Sequence, residues 1–218
     1  MRKIVLLGLL IPFVSQAQSS LGIDIQVYSP TGKMNRNISG TPAGISFRYI
    51  RTASDKWSFG GELGIAMYSS KTYDLETSSG EVEVFEEDCF WTVHGISQYT
   101  LYESDAVRHY AEGRVGITTF FSSIMAEDYD DSEYDEFEFH GTAFNMGLGT
   151  GISLNTRQLL KKEKGNFHLD FGINLHFGTR SNYRNINKED SAISNLDQGD
   201  YQSLTHYIAY RFGVLFEL

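Results

Sequence analysis

The segment FHLDFGINLHF, residues 167–177, alternates strictly between two kinds of side chain. Every odd position from Phe167 to Phe177 is large and apolar, and every even position is polar or glycine. A period of two is typical of a β-strand with one apolar and one polar face, whereas a helix repeats its apolar positions every three to four residues. The segment therefore predicts a strand.

Seven further segments show the same alternation, at residues 21–27, 43–49, 57–67, 91–101, 111–121, 144–154 and 208–216. The segment at 91–101 is the least regular, because Phe90 and Ile96 interrupt its polar face. Helical periodicity is not sustained outside a short stretch at residues 158–162. We therefore predict an all-β protein with eight antiparallel strands.

The connections between these segments alternate in length. Short to medium connections at 52–56, 103–107 and 155–165 follow the second, fourth and sixth strands, and long ones at 29–42, 69–88, 122–138 and 179–202 follow the others. Transmembrane barrels of the outer membrane have short turns at the periplasmic end and long loops at the outer end. The spacing predicts an eight-stranded antiparallel up-and-down transmembrane β-barrel with four long loops.

The first seventeen residues have the pattern of a secretory signal peptide. A positive start, Met1-Arg2-Lys3, precedes an apolar run at residues 4–14, and Ser15-Gln16-Ala17 offers small residues for cleavage after Ala17. We predict a signal peptide at 1–17, a barrel domain at 18–218, and export to the outer membrane.

Alternation alone does not say which face points into the barrel. A soluble barrel of the lipocalin type would place its apolar face inward, and a membrane barrel would place it toward lipid. Every lysine after residue 17 falls in a predicted turn or loop, and the polar faces are rich in glycine, as at Gly147, Gly149 and Gly151. Both features favour a narrow, crowded interior, so we predict that the apolar face meets lipid.

The charged residues within the predicted strands nearly balance, which favours a paired network in the lumen because an unpaired buried charge is costly. The predicted network consists of Asp24, Arg48, Glu62, Glu112, Arg114, Asp170 and Arg211. Such a network could plug the barrel or line a gated polar path, and the plug is favoured because eight strands leave room for little more than side chains. The individual pairings cannot be derived from the sequence.

Composition excludes several classes of protein. The 218 residues carry a formal net charge of -10, which argues against nucleic-acid binding. Aromatic residues make up 14%, which excludes a disordered chain, and the single cysteine excludes an intramolecular disulfide. Aromatic residues near the predicted strand ends suggest a girdle at the membrane interfaces, formed by Tyr28, Tyr49, Trp57, Tyr68, Trp91, Tyr99, Tyr102 and Tyr110.

Two of the predicted loops are strongly acidic, with seven acids and one lysine at 69–88 and eight acids at 122–138. They could bind divalent cations or a cationic partner at the cell surface, or act only as solvated, mutually repelling loops. The string DYDDSE, residues 128–133, lacks the glycine that an EF-hand loop needs at its sixth position, so we expect no defined metal site and no cofactor. The candidate cation-binding residues are Glu83, Glu86, Glu87, Asp88, Asp128, Asp130, Asp131 and Glu133.

The signal peptide, the eight alternating strands and the final segment HYIAYRFGVLFEL, residues 206–218, together resemble small outer-membrane barrels of the OmpA/OmpX kind, in the style of the "porin family" abundant in Bacteroidota. The resemblance rests on the whole pattern, and it implies a monomeric outer-membrane protein that contacts lipid. We expect a structural or surface-interaction role, with a narrow channel for small solutes as the alternative.

Catalysis is not expected. Ser203 and His206 have opposite parity along their strand, so they cannot share a face, and His140 beside Glu138 matches no enzyme motif.

Overall fold

The computed structural model describes residues 18–38, 40–77, 80–128, 134–160, 167–184 and 200–218, so the predicted signal peptide lies outside the described residues. Ten strands and two short helices are present in this part of the chain. The strands are β1 (Ser19–Pro30), β2 (Ala43–Thr52), β3 (Trp57–Thr77), β4 (Gly80–Glu103), β5 (Val107–Asp128), β6 (Tyr134–Asn155), β7 (Phe167–Gly178), β8 (Arg180–Arg184), β9 (Asp200–Leu204) and β10 (Tyr207–Glu217). The helices are α1 (Met34–Asn37) and α2 (Thr156–Leu160).

Eight of these strands form a closed antiparallel barrel in the order β1–β10–β7–β6–β5–β4–β3–β2, which confirms the predicted fold. The first and last strands of the barrel seal it, with register partners running from Ser20 opposite Glu217 to Pro30 opposite Tyr207. Closure pairs the backbone groups of both would-be edge strands, so this part of the barrel has no open edge. None of the helices that the structure describes is long and apolar enough to cross a membrane.

The prediction of loops at 69–88 and 122–138 is wrong for most of these residues. β3 and β4 stay paired from Ser69 opposite Asp88 to Thr77 opposite Gly80, and β5 and β6 extend to Asp128 and from Tyr134. These extensions carry acidic residues on both faces of the strands, as at Glu86, which is buried, and Glu87, which is exposed. Few residues in these extensions are apolar, so the sequence pattern of a strand is hard to detect there, although Val82 and Val84 keep the period of two.

The connection at 179–202, predicted as a loop, contains a separate two-stranded sheet formed by β8 and β9. Residues 185–199 lie outside the described part of the chain. The connection at 29–42 carries α1, and the short helical stretch predicted near residue 158 corresponds to α2.

Along the barrel strands the apolar side chains point outward and the polar side chains point inward. In β1, Ile25 is 59% exposed while the adjacent Asp24 is 1% exposed, and in β6 the outward Leu148 is 70% exposed. This is the reverse of a soluble protein, where burial of apolar side chains stabilises the fold. The polar faces of the strands meet in the lumen, which is where the candidate site lies.

Candidate functional site

The lumen is filled by three successive layers of side chains. Starting from the end with the short turns, we call them the charge layer, around Arg48, Arg114 and Arg211, the histidine layer, around His94 and His176, and the aromatic layer, around Phe90 and Tyr207. Each layer takes its residues from several strands, and nearly all of these side chains are buried.

In the charge layer, Arg48 and Arg114 each bridge two carboxylates. Arg48 Nη2 lies 3.0 Å from Asp24 Oδ1 and 2.8 Å from Asp170 Oδ2. Arg114 reaches Glu62 Oε1 through Nη1 at 2.6 Å, and Arg114 Nε lies 2.6 Å from Glu112 Oε1. Charge-assisted bonds of this length are among the strongest in proteins, and here they replace the water that each ion lost on burial.

Arg211 joins the two halves of the charge layer. Its Nη1 lies 3.0 Å from Glu112 Oε1, and its Nη2 lies 3.2 Å from Asp170 Oδ2. The structure thus brings all seven residues of the predicted network together. Arg211–Glu112 and Arg48–Asp170 join strands far apart in the chain, so these pairings depend on barrel closure.

Two further members of the charge layer were missed by sequence reasoning. The Tyr110 hydroxyl donates to Asp170 Oδ2 at 2.9 Å and accepts a bond from Arg211 Nη2 at 2.7 Å, and Gln98 Nε2 donates to Glu112 Oε2 at 2.7 Å. The inward direction of Tyr110 could have been predicted from the sequence, because Tyr110 and Glu112 both occupy even positions on β5 and therefore share a face.

Three residues predicted for the aromatic girdle lie inside the barrel, and the girdle prediction is wrong for them: Tyr28, Tyr68 and Tyr110 are buried in the lumen. Each of these tyrosines occupies an even position, like the polar residues of its strand. Position parity therefore predicts the direction of a side chain better than its distance from the strand end does. The large exposed aromatic side chains on the outer face include Tyr49, Trp57, Trp91 and Tyr102.

In the histidine layer, two imidazole rings meet across the lumen. The ring centroids of His94 and His176 are 5.1 Å apart, and each histidine faces a glycine on a neighbouring strand, Gly116 for His94 and Gly147 for His176. A Cβ atom on Gly147 would lie 3.1 Å from the His176 ring, so glycine makes the slot that the ring occupies. His94 Nδ1 is 4.0 Å from Glu62 Oε1, which places this layer directly on the charge layer.

The aromatic layer closes the lumen toward the long hairpins. Phe90 lies at its centre, with ring centroids 4.9 Å from Tyr28 and 5.6 Å from Phe120. The interruption of the polar pattern at Phe90 thus marks this layer. Met34 and Ile38, from α1 and the residue after it, are buried in the same cluster, so the β1–β2 connection folds into the barrel mouth.

The candidate cation-binding residues do not converge in the part of the chain that the structure describes. On β4, Glu86 and Asp88 are buried while Glu87 is exposed, and the Tyr73 hydroxyl donates to Glu86 Oε1 at 2.7 Å. Glu83 is half-buried on β4, and Asp128 ends β5. The remaining three residues lie outside the described part: Asp130, Asp131 and Glu133. Among the described residues, no group of three or more His, Cys, Asp or Glu side chains is arranged to hold a metal ion.

The residues weighed for catalysis are engaged in packing and local hydrogen bonds. The Ser203 hydroxyl bonds with that of Tyr183 inside the small β8–β9 sheet. The ring of His206 lies 5.7 Å from that of Phe177, and the ring of His140 lies 5.0 Å from that of Phe121.

No protein-family model and no curated protein sequence matches the chain. Among solved structures, it is similar to the attachment invasion locus protein Ail of Yersinia pestis, solved with the heparin analogue sucrose octasulfate, at 11% identity and a TM-score of 0.48, covering 94% of this chain and 100% of Ail. Neisserial surface protein A is similar at 11% identity and a TM-score of 0.48, with 94% and 99% covered. A major outer membrane protein from Thermus thermophilus is similar at 10% identity and a TM-score of 0.49, with 92% and 99% covered. At such identities the likeness concerns the fold alone.

Proposed function

We propose that this chain is an integral protein of the bacterial outer membrane, with a structural and surface-interaction role exerted through its acidic outer hairpins and without catalytic activity. One observation carries the proposal. The barrel exposes its large apolar side chains on the outside, while its charged side chains are buried and paired inside. The proposal includes export through the signal peptide at 1–17 and a monomeric barrel surrounded by lipid.

The outer face of the barrel fits the hydrocarbon core of a bilayer. An exposed apolar band of this extent would promote aggregation in water, whereas acyl chains cover it without cost. Four strands of the barrel, β1, β2, β7 and β10, contain 12, 10, 12 and 11 residues. A tilted transmembrane strand needs about 9–11 residues to span the core. Every backbone group in a closed barrel is paired within the sheet, as a bilayer requires.

The acidic segments project beyond this band. β2 pairs with β3 only as far as Ala43 opposite Met67, and β3 continues to Thr77. Twelve of the fifteen acidic residues in segments 69–88 and 122–138 are described, and they lie on strands that extend past the shorter ones. A concentrated negative field attracts cationic partners and raises their rate of encounter, which supports a binding role for these hairpins.

The filled lumen favours interaction over transport, the alternative function. We expect the protein to show no steady single-channel steps when it is reconstituted in planar bilayers at neutral pH. The three layers place buried side chains at successive levels of the described lumen, and an ion that passed between them would lose its hydration at a high cost. Steady steps that change amplitude when Arg114 or His94 is substituted would establish the channel instead.

The membrane location is tested by Leu148→Arg, which places a charge near the middle of the outward face of β6. We expect a loss of about 2–4 kcal/mol in folding stability in lipid vesicles and reduced recovery in the outer-membrane fraction, because the guanidinium would lie in hydrocarbon. Urea unfolding in vesicles measures the first effect, and cell fractionation with heat-modifiable gel migration measures the second.

Leu204→Arg is the matched control, since Leu204 is also exposed but belongs to the β8–β9 sheet outside the barrel wall. Its stability should stay within a few tenths of a kcal/mol of wild type. Wild-type protein that is recovered in soluble fractions, or equal effects of the two substitutions, would contradict the proposal.

A further inference from the structure

The end of the barrel with the short turns opens into a cavity of about 620 Å³, which we call the vestibule. It lies on the other side of the charge layer from the aromatic layer and the acidic hairpins, so it is separate from the surface proposed above for interaction. Its volume falls within the range of small-molecule binding sites.

The wall of the vestibule carries hydroxyl groups without protein partners. Ser58 on β3 is 3% exposed and Ser153 on β6 is 2% exposed, and both line the cavity. Neither hydroxyl makes a hydrogen bond with any residue that the structure describes. Both hydroxyl oxygens are open to the cavity, so they can exchange hydrogen bonds with a ligand bound there.

The cationic groups of the vestibule are already engaged. Arg108 donates to Gln98 Oε1 at 3.4 Å, with its guanidinium carbon 5.5 Å from the centre of the Tyr110 ring. His168 Nε2 lies 2.9 Å from Glu217 Oε1. Arg108 keeps its positive charge, so the cavity lining holds two basic residues, Arg108 and His168, and four acids, with Glu217 the fourth beside those at the rim.

Three carboxylates stand at the rim on the two shortest turns. Asp55 follows β2, Glu103 ends β4, and Asp105 follows it; all three line the cavity and are exposed. None of them forms an ion pair with a residue that the structure describes. Acids outnumber bases in the lining, and a concave site with an excess of one sign of charge attracts ligands of the opposite sign.

We propose that the vestibule binds a small hydroxylated organic cation, a primary amine of amino-sugar size. The ammonium group pairs with the rim carboxylates, and the hydroxyl groups exchange hydrogen bonds with Ser58 and Ser153. Both parts are required, because exposed carboxylates alone give weak, salt-screened attraction and two hydroxyls alone give little selectivity.

Glucosamine titrated into the micelle-embedded full chain tests this site, with amide NMR resonances as the readout. We expect saturable shifts at Ser58, Thr100 and Ser153, and none at the outer hairpins. Glucose, which lacks the charge, and ethylammonium, which lacks the ring hydroxyls, should each bind about tenfold more weakly, as expected when one set of contacts is removed.

Two variants separate the contributions of rim and wall. Ser58→Val with Ser153→Val removes the hydroxyls, and Asp55→Asn with Asp105→Asn removes two rim charges; each pair should weaken glucosamine binding about tenfold. Asp74→Asn, an exposed acid on β3 at the opposite end, is the control and should leave binding unchanged. Preserved dispersion of the amide spectrum shows that each variant is folded.

Shifts that fail to saturate, or that are the same for ethylammonium and glucosamine, would reduce the site to nonspecific attraction of cations and overturn the proposal. Unchanged affinity in the folded double serine variant would also overturn it. These outcomes do not depend on membrane location, so they are distinguishable from failure of the outer-membrane proposal.

Discussion

Arg211→Met should lower the free energy of unfolding by about 3–5 kcal/mol, the usual cost of removing one partner from a buried ion network. Arg211 holds Glu112 at 3.0 Å and Asp170 at 3.2 Å, and its Nη2 donates to the Tyr110 hydroxyl at 2.7 Å. Methionine fills much of the same volume without charge. Two carboxylates would then share only the remaining guanidinium groups in a site that water does not reach freely.

Urea unfolding in lipid vesicles, followed by tryptophan fluorescence, measures this loss. Lys33→Met is the control, since Lys33 is exposed beside α1, and its effect should stay within a few tenths of a kcal/mol. Adding Glu112→Gln to Arg211→Met should recover part of the loss, because it removes a charge that has lost a partner. A loss below about 1 kcal/mol, the value typical of an exposed pair, would mean that the charge layer is hydrated and does not plug the barrel.

Phe90→Ala should cost about 3–5 kcal/mol, because it opens a cavity at the centre of the aromatic layer. Phe90 lies within 6.4 Å, centroid to centroid, of Tyr28, Tyr68, Phe120 and Tyr207. Those rings come from four different strands and can relax only by moving the barrel wall. The substitution should also release the β1–β2 connection, whose Met34 packs in the same cluster.

The same unfolding experiment measures the loss, and protease cleavage near residue 34 reports release of the connection. Tyr102→Ala is the matched control on β4, because Tyr102 is an exposed aromatic residue on the outer face. Its effect should be clearly smaller, since no cavity forms. Equal losses for the two variants would show that the lumen side of β4 is not tightly packed.

The period of two was enough to predict the strands and the closed barrel, because every transmembrane strand must alternate between two unlike surroundings. It also predicted the seven charged members of the charge layer, since residues such as Asp24 and Arg48 share the polar parity, but not Tyr110 or Gln98. The full length of β3 through β6 could not be predicted in this way. Outside the apolar band both faces of a strand carry acidic residues, so the contrast that reveals alternation disappears.

The pairings within the charge layer were not predictable for a different reason. Arg114 reaches Glu62 across the intervening strand β4, and Arg48 reaches Asp170 across a sequence separation of 122 residues. Such contacts depend on strand tilt and stagger, which closure of the whole barrel sets. Tyr28, Tyr68 and Tyr110 lie near strand ends, which led to the prediction that they face the membrane interface. Their even positions, shared with the polar residues of each strand, indicate instead that they point into the lumen.

The seam between β1 and β10 has a kinetic consequence. Ile23 pairs with Val214, so the contact that completes the cylinder joins residues almost a full chain length apart. Non-local contacts of this kind slow folding, because the chain loses the entropy of loop closure before the new contacts stabilise it. Until β1 and β10 pair, two unpaired strand edges and an exposed apolar surface are available to other chains. We therefore expect refolding to be slow and prone to misassembly at high protein concentration, and helped by anything that holds the two ends of the sheet together.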